Sequence, residues 1–511
     1  MIFHSILFQS TSDCAPDEQI NEPAFFVDLN LNQIIAAVIA GREEYDLSPF
    51  FYKSLRDVAA ITWRHEIMQD LENACLFDTI KTFAQSMRAM RQHLAQAKKF
   101  YYQLQKERCL LDAVDIYCDA VTRLAHDLSM TGFTSRGFLA FREYVNGYAT
   151  SERFTSLLEQ TKKLLADLSA IQYTVLIKDL QVQVRRYGGE LDYSAEVEAT
   201  FERFKQGAVK NYDFNFVNSL EMDHVEAEIL ALVARLYPET FSVLDSYYKA
   251  NEDYLDNTIV KFDREIQFYI AYLEHAARFK KVGLNFCYPR VVRECKEVYS
   301  CQGFDLALAG KLNAGHAAVV CNDFHIRDRE RMIVVSGPNQ GGKTTFARSF
   351  GQLHYLASLG CPVPGTGAQL FLFDNLFTQF EREENVNNLR GKLQDDLVRI
   401  HQILGRATPN SIIIMNEMFT STTVQDAILL SKKIAAMLEA LDLLCLWVTF
   451  VEELASLGEQ SVSMVSTVVP ENPALRTYKI IRRAADGLAY AMAIAEKYRL
   501  TYALIKERVG S

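Results

Sequence analysis

The chain has 511 residues, a length that allows about three domains. Hydrophobic residues make up 49% and charged residues 23%, which excludes wholesale disorder, and the formal net charge of −10 excludes nucleic-acid binding by bulk charge alone. There is no secretory signal, no apolar run near the ~20 residues of a membrane-spanning helix and no C-x-x-C pair, so we predict a cytoplasmic protein with no membrane segment.

The first part of the chain, residues 1–285, is predicted to be mainly helical. Residues 56–130 contain neither glycine nor proline, and their apolar side chains recur at three- and four-residue steps. A second long helix is predicted over 252–279, and a short β hairpin over 173–177 and 180–187. We assign 1–44 to an N-terminal segment that packs on the helical part, and 45–285 to a helical region with a small hairpin near 173–187.

A basic stripe is predicted within this helical region, because residues 79–106 contain no acidic side chain. On one continuous helix, at about 100° per residue, the basic side chains fall within a stripe about 100° wide, which can neutralise DNA phosphates without reading bases. The stripe consists of Lys81, Arg88, Arg91, Lys98, Lys99 and Lys106. The alternative, which the acidic net charge favours, is a solvated helix face or a contact with an acidic partner surface. Arg185 and Arg186 would add to a DNA contact at the hairpin's end, although a solvent-facing strand end is favoured there.

The second part of the chain, residues 286–511, alternates short β-rich runs with helical ones. This alternation is typical of an α/β layered domain with a largely parallel sheet. The β-rich runs are 332–336, 370–373, 411–415, 443–449, 463–469 and 477–481.

A phosphate-binding loop follows the β-rich run at 332–336 and precedes a predicted helix over 345–359. The run fits G-x-x-x-x-G-K-[ST] and comprises Gly337, Pro338, Asn339, Gln340, Gly341, Gly342, Lys343 and Thr344. Glycines let backbone N–H groups close around phosphates, and a helix N-terminus adds a positive dipole. Lys343 is predicted to reach the β- and γ-phosphates and Thr344 to hold Mg²⁺. The predicted cofactors are therefore ATP and Mg²⁺.

A second motif is the apolar run 411–415, which ends in Asn416 and Glu417. Strands of this kind usually end in Asp-Glu, where the aspartate helps to hold Mg²⁺. The amide of Asn416 still accepts a hydrogen bond but carries no charge, whereas Glu417 keeps the carboxylate that a general base needs. We predict that Glu417 activates water and that Asn416 assists weakly, which gives a weak Mg²⁺-dependent ATPase.

The order of motifs resembles the ATPase domain of the MutS family, a relative of the ABC-type ATPases. Residues 337–345, GPNQGGKTT, are close to the family's GPN-x-GGKST. The resemblance continues through 359–364 (LGCPVP), 374–378 (DNLFT), 407–417, 422–427 (TTVQDA) and a late helix at 487–500. It implies an α+α/β fold, with a long helical core and lever region followed by an ABC-type P-loop ATPase domain at 286–511. It also adds Thr345 to the nucleotide-binding residues and places Asp426 at the family's D-loop aspartate.

Three positions that handle nucleotide depart from the family's pattern. The first is Asn416, which replaces an aspartate. At the second, Gly391-Lys392-Leu393 replaces the family's signature segment, with Asp396 at the acidic position of that segment. At the third, Phe450 stands where the family has a histidine. ATP binding is therefore a firmer expectation than fast hydrolysis. Lys392 is a hypothetical γ-phosphate contact across a dimer, and a homodimer is expected because this ATPase class completes its sites across an interface.

The resemblance implies an ATP-driven conformational clamp on DNA, in the setting of DNA repair. The helical part begins too early to leave room for the family's mismatch-reading domain, so we do not expect mismatch recognition. The alternative is a nucleotide-gated scaffold that binds a protein and barely hydrolyses ATP. The basic stripe favours the clamp, whereas Asn416, Phe450 and the acidic balance favour the scaffold.

Overall fold

The computed structural model describes residues 3–9, 21–178, 181–189, 197, 222–314, 318–381, 391–456, 458–469, 471–484 and 500–509. The described residues form two compact units. The helical unit draws on Ala74–Gly132 and Ala140–Asp263, and the sheet unit on Phe3–Asn73, Phe133–Leu139 and Arg264–Ser511. These units divide the chain at other points than the predicted boundaries near 44 and 285.

The helices, numbered in chain order, are α1 (Phe25–Asp28), α2 (Leu31–Ile39), α3 (Ser48–Tyr52), α4 (Val58–Asp70), α5 (Ala74–Ala97), α6 (Gln103–Met130), α7 (Arg136–Ala149), α8 (Glu152–Ser169), α9 (His224–Leu236), α10 (Pro238–Ala250), α11 (Asn257–Lys280), α12 (Leu306–Ala314), α13 (Lys343–Ser358), α14 (Lys392–Leu404), α15 (Val424–Ala440) and α16 (Tyr502–Val509). The strands are β1 (Tyr173–Lys178), β2 (Gln181–Arg186), β3 (Phe286–Cys287), β4 (Arg290–Val292), β5 (Val298–Gly303), β6 (Asn322–Ile326), β7 (Met332–Ser336), β8 (Val363–Pro364), β9 (Gly367–Phe371), β10 (Leu376–Phe380), β11 (Ile412–Asn416), β12 (Leu444–Val448), β13 (Ser461–Val469) and β14 (Asn472–Arg482). None of the described helices combines the length and the apolarity that crossing a bilayer requires.

Helices α5 and α6 dominate the helical unit and pack on each other as a helical hairpin. The buried side chains of α5 follow steps of four and three residues, as Leu76, Ile80, Phe83, Met87 and Met90 show. The buried face of α6 has the same spacing. Each helix therefore buries one apolar stripe, as the sequence periodicity predicts.

The predicted hairpin and the predicted second long helix are both present. β1 pairs antiparallel with β2, with Tyr173 opposite Arg186, although Leu180 of the predicted second strand lies outside the described residues. The long helix is α11, which begins five residues later than predicted. Its start is fixed by Asp256, whose carboxylate accepts hydrogen bonds from the backbone N–H groups of Thr258 and Ile259 at 3.0 Å.

The sheet unit is built on a six-stranded sheet with the order β10-β11-β12-β7-β13-β14. All neighbouring strands are parallel except β13 and β14, so the prediction of a largely parallel sheet is confirmed. The central strands are fully buried, which explains why β7, β11 and β12 read as continuous apolar runs. The predicted run 370–373 does not join this sheet: β9 pairs with β4 and β5 in a separate four-stranded sheet.

Helix α13 is buried along almost its whole length, so its apolar sides must be covered from more than one direction. The described part of the N-terminal segment supplies one cover. Phe26 packs edge-on against Tyr355 of α13 with ring centroids 5.1 Å apart, and Gln352 of α13 donates a 2.9 Å hydrogen bond to the carbonyl of Leu29. The segment predicted to pack on the helical part thus contacts α13, and it also contacts α11 through the ion pair of Arg42 with Glu274.

Candidate functional site

The glycine-rich loop connects the end of β7 to the start of α13, at the carboxyl edge of the parallel sheet. Gly337 has a φ of 113°, Gln340 of 59° and Gly342 of 91°, so the loop depends on the left-handed region that glycine adopts at low cost. Gly342 is the N-cap of α13, and no side chain of the described residues caps the helix there. The first N–H groups of α13 are therefore open to an anionic ligand.

Strand β13 holds the loop from the side. Val465 pairs with Ser336, which places the next residue, Ser466, beside the loop. Its hydroxyl donates a 2.7 Å hydrogen bond to the carbonyl of Gly341. A Cβ atom at Gly341 would lie 2.2 Å from the Ser466 Oγ, and one at Gly337 would lie 2.9 Å from the Ser466 carbonyl oxygen. Gly337 is required because the Ser466 backbone approaches it closely, and Gly341 is required because the Ser466 side chain does.

Sequence reasoning missed both residues that hold the loop from β13 and β14. Besides Ser466, Arg476 of β14 donates a 3.1 Å hydrogen bond from Nε to the carbonyl of Asn339. No local signal marks either residue, because both contacts depend on which strands are neighbours in the sheet.

Lys343 is buried and its ammonium group lies within the loop. Its Nζ donates hydrogen bonds to the carbonyls of Gly337 (2.9 Å) and Pro338 (3.2 Å) and to Oδ1 of Asn339 (3.2 Å). The carboxylate of Glu417 lies 3.8 Å away. Burial lowers the pKa of Lys343 from the ordinary lysine value, and the Glu417 charge opposes that shift.

The structure brings Thr344 and Asn416 together, as the two motifs predict for a metal site. The Thr344 hydroxyl donates a 3.0 Å hydrogen bond to Oδ1 of Asn416. Neighbouring oxygen ligands of octahedral Mg²⁺, at 2.0–2.1 Å from the ion, lie about 2.9 Å from each other. The two side chains, with Glu417 next in the chain, therefore fit Mg²⁺ in donor type and spacing, although Asn416 contributes no charge.

Glu417 follows β11 in a conformation that non-glycine residues seldom adopt, with a φ of 50°. Its backbone N–H donates a 2.9 Å hydrogen bond to the carbonyl of Val448, which fixes this turn against β12. The side chain stays one-third exposed. Such backbone strain concentrates at functional sites, and here it directs a carboxylate toward the loop lysine.

The other predicted site residues lie in less specific surroundings. Thr345 is half-buried in the first turn of α13, and Pro338 is buried in the loop. Asp426 is exposed, and its carboxylate accepts hydrogen bonds from the hydroxyls of Thr423 (2.8 Å) and Thr422 (3.4 Å) at the start of α15. Among the described contacts, Asp426 lies in the first turn of α15, which Thr423 caps, and it does not touch the loop.

The positions that depart from the family's pattern are engaged within the chain or exposed. Lys392 forms an ion pair with Glu381, and Asp396 accepts a 2.9 Å hydrogen bond from Gln379. Burial raises the pKa of the Asp396 carboxyl. Phe450, two residues after the end of β12, is 47% exposed. The late helix predicted at 487–500 lies outside the described residues except for its last residue.

The prediction of one continuous basic helix over 79–106 is wrong. Helix α5 ends at Ala97, Lys98 and Lys99 lie in the connecting turn, and Lys106 belongs to α6. Arg91 forms an ion pair with the buried Asp263. The chain turns here because two long amphipathic helices can bury their apolar stripes against each other, which a single rod could not do. Lys98 and Lys99 are exposed and remain as an adjacent basic pair.

The arginines of the predicted hairpin lie at its open end, where β1 begins and β2 ends. Arg186 donates a 3.1 Å hydrogen bond from Nε to the carbonyl of Leu236 and lies over the ring of Tyr237. Arg185 donates a 2.8 Å hydrogen bond to Gln183. Both side chains are thus bound to neighbouring residues rather than presented at the tip of the hairpin.

The fold and the site define a class of protein. It is an α/β domain with a largely parallel sheet, in which a glycine-rich loop and an uncapped helix N-terminus surround a buried lysine. Residues 333–508 match the family described as MutS domain V, so this part of the chain is similar to MutS proteins.

Similar proteins are named as DNA mismatch repair proteins. The chain is 26% identical over 217 residues to the DNA mismatch repair protein MutS of Orientia tsutsugamushi (strain Boryong), a match that covers 42% of this chain and 24% of the relative. It is 21% identical over 296 residues to the DNA mismatch repair protein MSH3 of Debaryomyces hansenii, a match that covers 54% of this chain and 28% of the relative. It is 32% identical over 123 residues to the DNA mismatch repair protein MutS of Thermosipho melanesiensis, a match that covers 23% of this chain and 15% of the relative. The chain thus spans less than a third of the length of these relatives.

Proposed function

We propose that the domain at 286–511 binds ATP with Mg²⁺ at the glycine-rich loop. The observation that carries this proposal is the buried Lys343 inside the loop, next to the 3.0 Å contact of Thr344 with Asn416. The backbone of 337–342 and the first turn of α13, including Thr345, would surround the phosphates. The Lys343 ammonium would exchange its loop acceptors for phosphate oxygens, which are stronger hydrogen-bond acceptors for a cation.

Slow hydrolysis is the second part of the proposal. Thr344 and Asn416 would hold Mg²⁺, which neutralises the phosphate charge when it is bound. Glu417 would accept the proton of the attacking water, and its exposed carboxylate next to Lys343 suits that role. Because Asn416 is neutral where an aspartate is usual, we expect weak metal binding and a low turnover.

Titration calorimetry with MgATP tests the binding site. Lys343→Ala removes the charge that faces the phosphates, so we expect binding to weaken by roughly a hundredfold or more. Lys432→Ala, an exposed lysine of α15, is the matched control and should bind MgATP as the wild type does. Equal affinity in the wild type and Lys343→Ala would contradict the site.

We further propose that nucleotide binding drives a conformational clamp on DNA, built from a homodimer. Support comes from the relatives, which are named as DNA mismatch repair proteins, and from the exposed pair Lys98 and Lys99. Because the net charge is −10, attraction to DNA must be local and sensitive to salt. Sedimentation with and without ATP tests the dimer, and a chain that stays monomeric in both states would exclude it.

The DNA contact is tested by charge reversal at the exposed lysines. The double variant Lys98→Glu and Lys99→Glu should weaken binding to branched and duplex DNA at low salt by about tenfold or more, since it replaces two phosphate contacts by repulsion. The double variant Lys432→Glu and Lys433→Glu changes the net charge equally and is the control. If the wild type binds no DNA at low salt, the clamp proposal fails.

The second candidate is a nucleotide-gated scaffold for a protein partner. It is favoured by the 47% exposure of Phe450, an aromatic side chain at the site's edge, and by the pairing of Lys392 with Glu381 within the chain. A steady-state ATPase assay separates the two. Stimulation of turnover by DNA supports the clamp, whereas tight nucleotide binding with turnover that DNA leaves unchanged supports the scaffold.

A further inference from the structure

A cavity of about 460 Å³ lies at the amino edge of the main sheet, where β10 begins. The phosphate loop lies at the carboxyl edge, because β7 ends there and runs parallel to the strands of β10 and β11 through β12. Helix α13 connects the two edges: it starts at Lys343 of the loop, and its Tyr355 lines this cavity. We call it the amino-edge cavity.

The walls of the amino-edge cavity carry net positive charge. Three arginines line it from different segments: Arg56 between α3 and α4, Arg399 of α14 and Arg406 just after α14. Asp374 is the one acidic residue of the described lining, and its carboxylate accepts hydrogen bonds from the hydroxyls of Thr408 and Ser411. Within the described residues, Arg56 and Arg406 have no carboxylate partner, so two guanidinium groups stay available for a ligand.

The rest of the lining includes aromatic rings, of which Phe25, Tyr52 and Phe377 are half-buried and Tyr355 is buried. Phe25, Tyr52, Tyr355 and Phe377 line the cavity, and the guanidinium of Arg406 lies over the Phe377 ring at 5.5 Å from its centroid. Phe25 packs edge-on against Tyr355, with ring centroids 5.3 Å apart. Aromatic rings and guanidinium planes both bind other planar groups by stacking.

The chemistry of the lining selects the class of ligand. Three arginines and one aspartate leave a charge of about +2, which matches the −1.5 to −2 of a phosphate monoester better than the −1 of a carboxylate. A guanidinium group can donate two parallel hydrogen bonds to the oxygens of one phosphate. The aromatic side chains of the lining fit a planar base. The volume lies in the range of small-ligand sites, about 300–1,000 Å³.

We infer that the amino-edge cavity binds a nucleoside monophosphate unit, with its phosphate on Arg56 and Arg406 and its base on the aromatic walls. The unit is either a free mononucleotide or the 5′-phosphorylated end of a nucleic-acid strand, since both present the same chemistry. The site is separate from the phosphate loop, for which we propose ATP as the ligand.

Calorimetry with adenosine 5′-monophosphate tests the inference, in full-length protein carrying Lys343→Ala so that the phosphate loop does not contribute. We expect AMP to bind, and adenosine and inorganic phosphate each to bind about tenfold more weakly or worse, because each offers only half of the recognised unit. Arg406→Ala should weaken AMP binding by about tenfold or more. Arg406→Lys should not restore it, because an ammonium neither pairs in a fork nor stacks.

The control is Arg329→Ala, which removes an exposed arginine from the turn between β6 and β7 and should leave AMP binding unchanged. Arg406 is itself exposed, so its variants should fold, and a thermal melt checks this. A 5′-phosphorylated hexanucleotide identifies the source: tighter binding than AMP assigns the end of a strand, and equal or weaker binding assigns the free nucleotide. Absence of AMP binding, or AMP binding that Arg406→Ala leaves unaltered, would overturn the inference.

Discussion

Asn416 is the residue at which the site differs most in charge from the usual pattern. Its Oδ1 already accepts a 3.0 Å hydrogen bond from the Thr344 hydroxyl, and an aspartate side chain has the same shape as asparagine. Asn416→Asp should therefore keep this contact while adding the charge that Mg²⁺ prefers. We expect the Mg²⁺ concentration for half-maximal ATPase activity to fall by about tenfold and turnover to rise. A metal titration of the ATPase rate checks this, and an unaltered titration would show that Asn416 is not a ligand.

Glu417 is the only one of the two predicted catalytic residues that can accept a proton. Glu417→Gln keeps the size of the side chain but removes its basicity, so ATP should bind and turnover should fall by about a hundredfold or more. Filter binding of labelled ATP, with the bound product analysed over time, distinguishes trapped ATP from ADP. Glu459→Gln, an exposed glutamate, is the control. Turnover equal to the wild type in Glu417→Gln would remove Glu417 from the mechanism.

At the scale of elements, the end of α13 opposite the phosphate loop is fixed by a buried arginine of α4. Arg64 donates a 2.8 Å hydrogen bond from Nη1 to the carbonyl of Leu359, the C-cap of α13. A cation at this end complements the helix dipole, whose other end faces the nucleotide site. The next residue, Gly360, has a φ of 73°. The helix that carries Lys343 is therefore fixed by a capping contact at its end as well as by the loop at its start.

Gly360→Ala should destabilise the sheet unit by about 1–3 kcal/mol, because alanine is strained at positive φ and its Cβ would lie 2.8 Å from the Cβ of Arg64. Gly367→Ala is the matched control, since no atom of the described residues lies within 4 Å of a Cβ there. Urea unfolding of both variants measures the difference. Equal midpoints would show that the Arg64 contact does not constrain α13.

The turn between α5 and α6 is a feature that the local sequence pattern does not predict. The sequence between them contains no glycine or proline, so local pattern alone predicts one continuous helix over 79–106. The structure ends α5 with a tight turn, in which Lys99 donates a 2.8 Å backbone hydrogen bond to Gln96. The turn is placed by the packing of the two apolar stripes, which is a tertiary interaction.

At the scale of the whole sheet unit, three histidines predict a loss of stability in acid. Burial lowers the pKa of His65, His275 and His354 to about 4, from an ordinary value of 6.5. Between these pH values the unfolded chain binds protons that the folded unit does not. The free energy of unfolding is therefore unaffected by these histidines above pH 6.5. It falls as the pH drops from 6.5 toward 4, by about 1.4 kcal/mol per pH unit for each histidine.

The midpoint of urea unfolding, measured from pH 7 to pH 4.5, checks this dependence. The ring centroids of His354 and Phe350 lie 4.4 Å apart, and Nδ1 of His354 lies 2.8 Å from the Phe350 carbonyl oxygen. His354→Phe keeps the ring packing, loses that polar contact, and should reduce the pH slope by one proton. His224→Phe makes the same change at an exposed position and should leave the slope as it is. A midpoint that is constant between pH 7 and 5 would contradict the prediction.

The sequence alone determined the features that depend on local chemistry. The loop with Lys343 and Thr344, the strand that ends in Asn416 and Glu417, and the alternation of strands and helices all follow from spacing, because each motif is contiguous in the chain. The tertiary structure alone decided the strand order that places Ser466 against Gly341, the turn that breaks the basic stripe, and the amino-edge cavity. These depend on contacts between residues far apart in sequence, whose partners are chosen by packing and not by any local pattern.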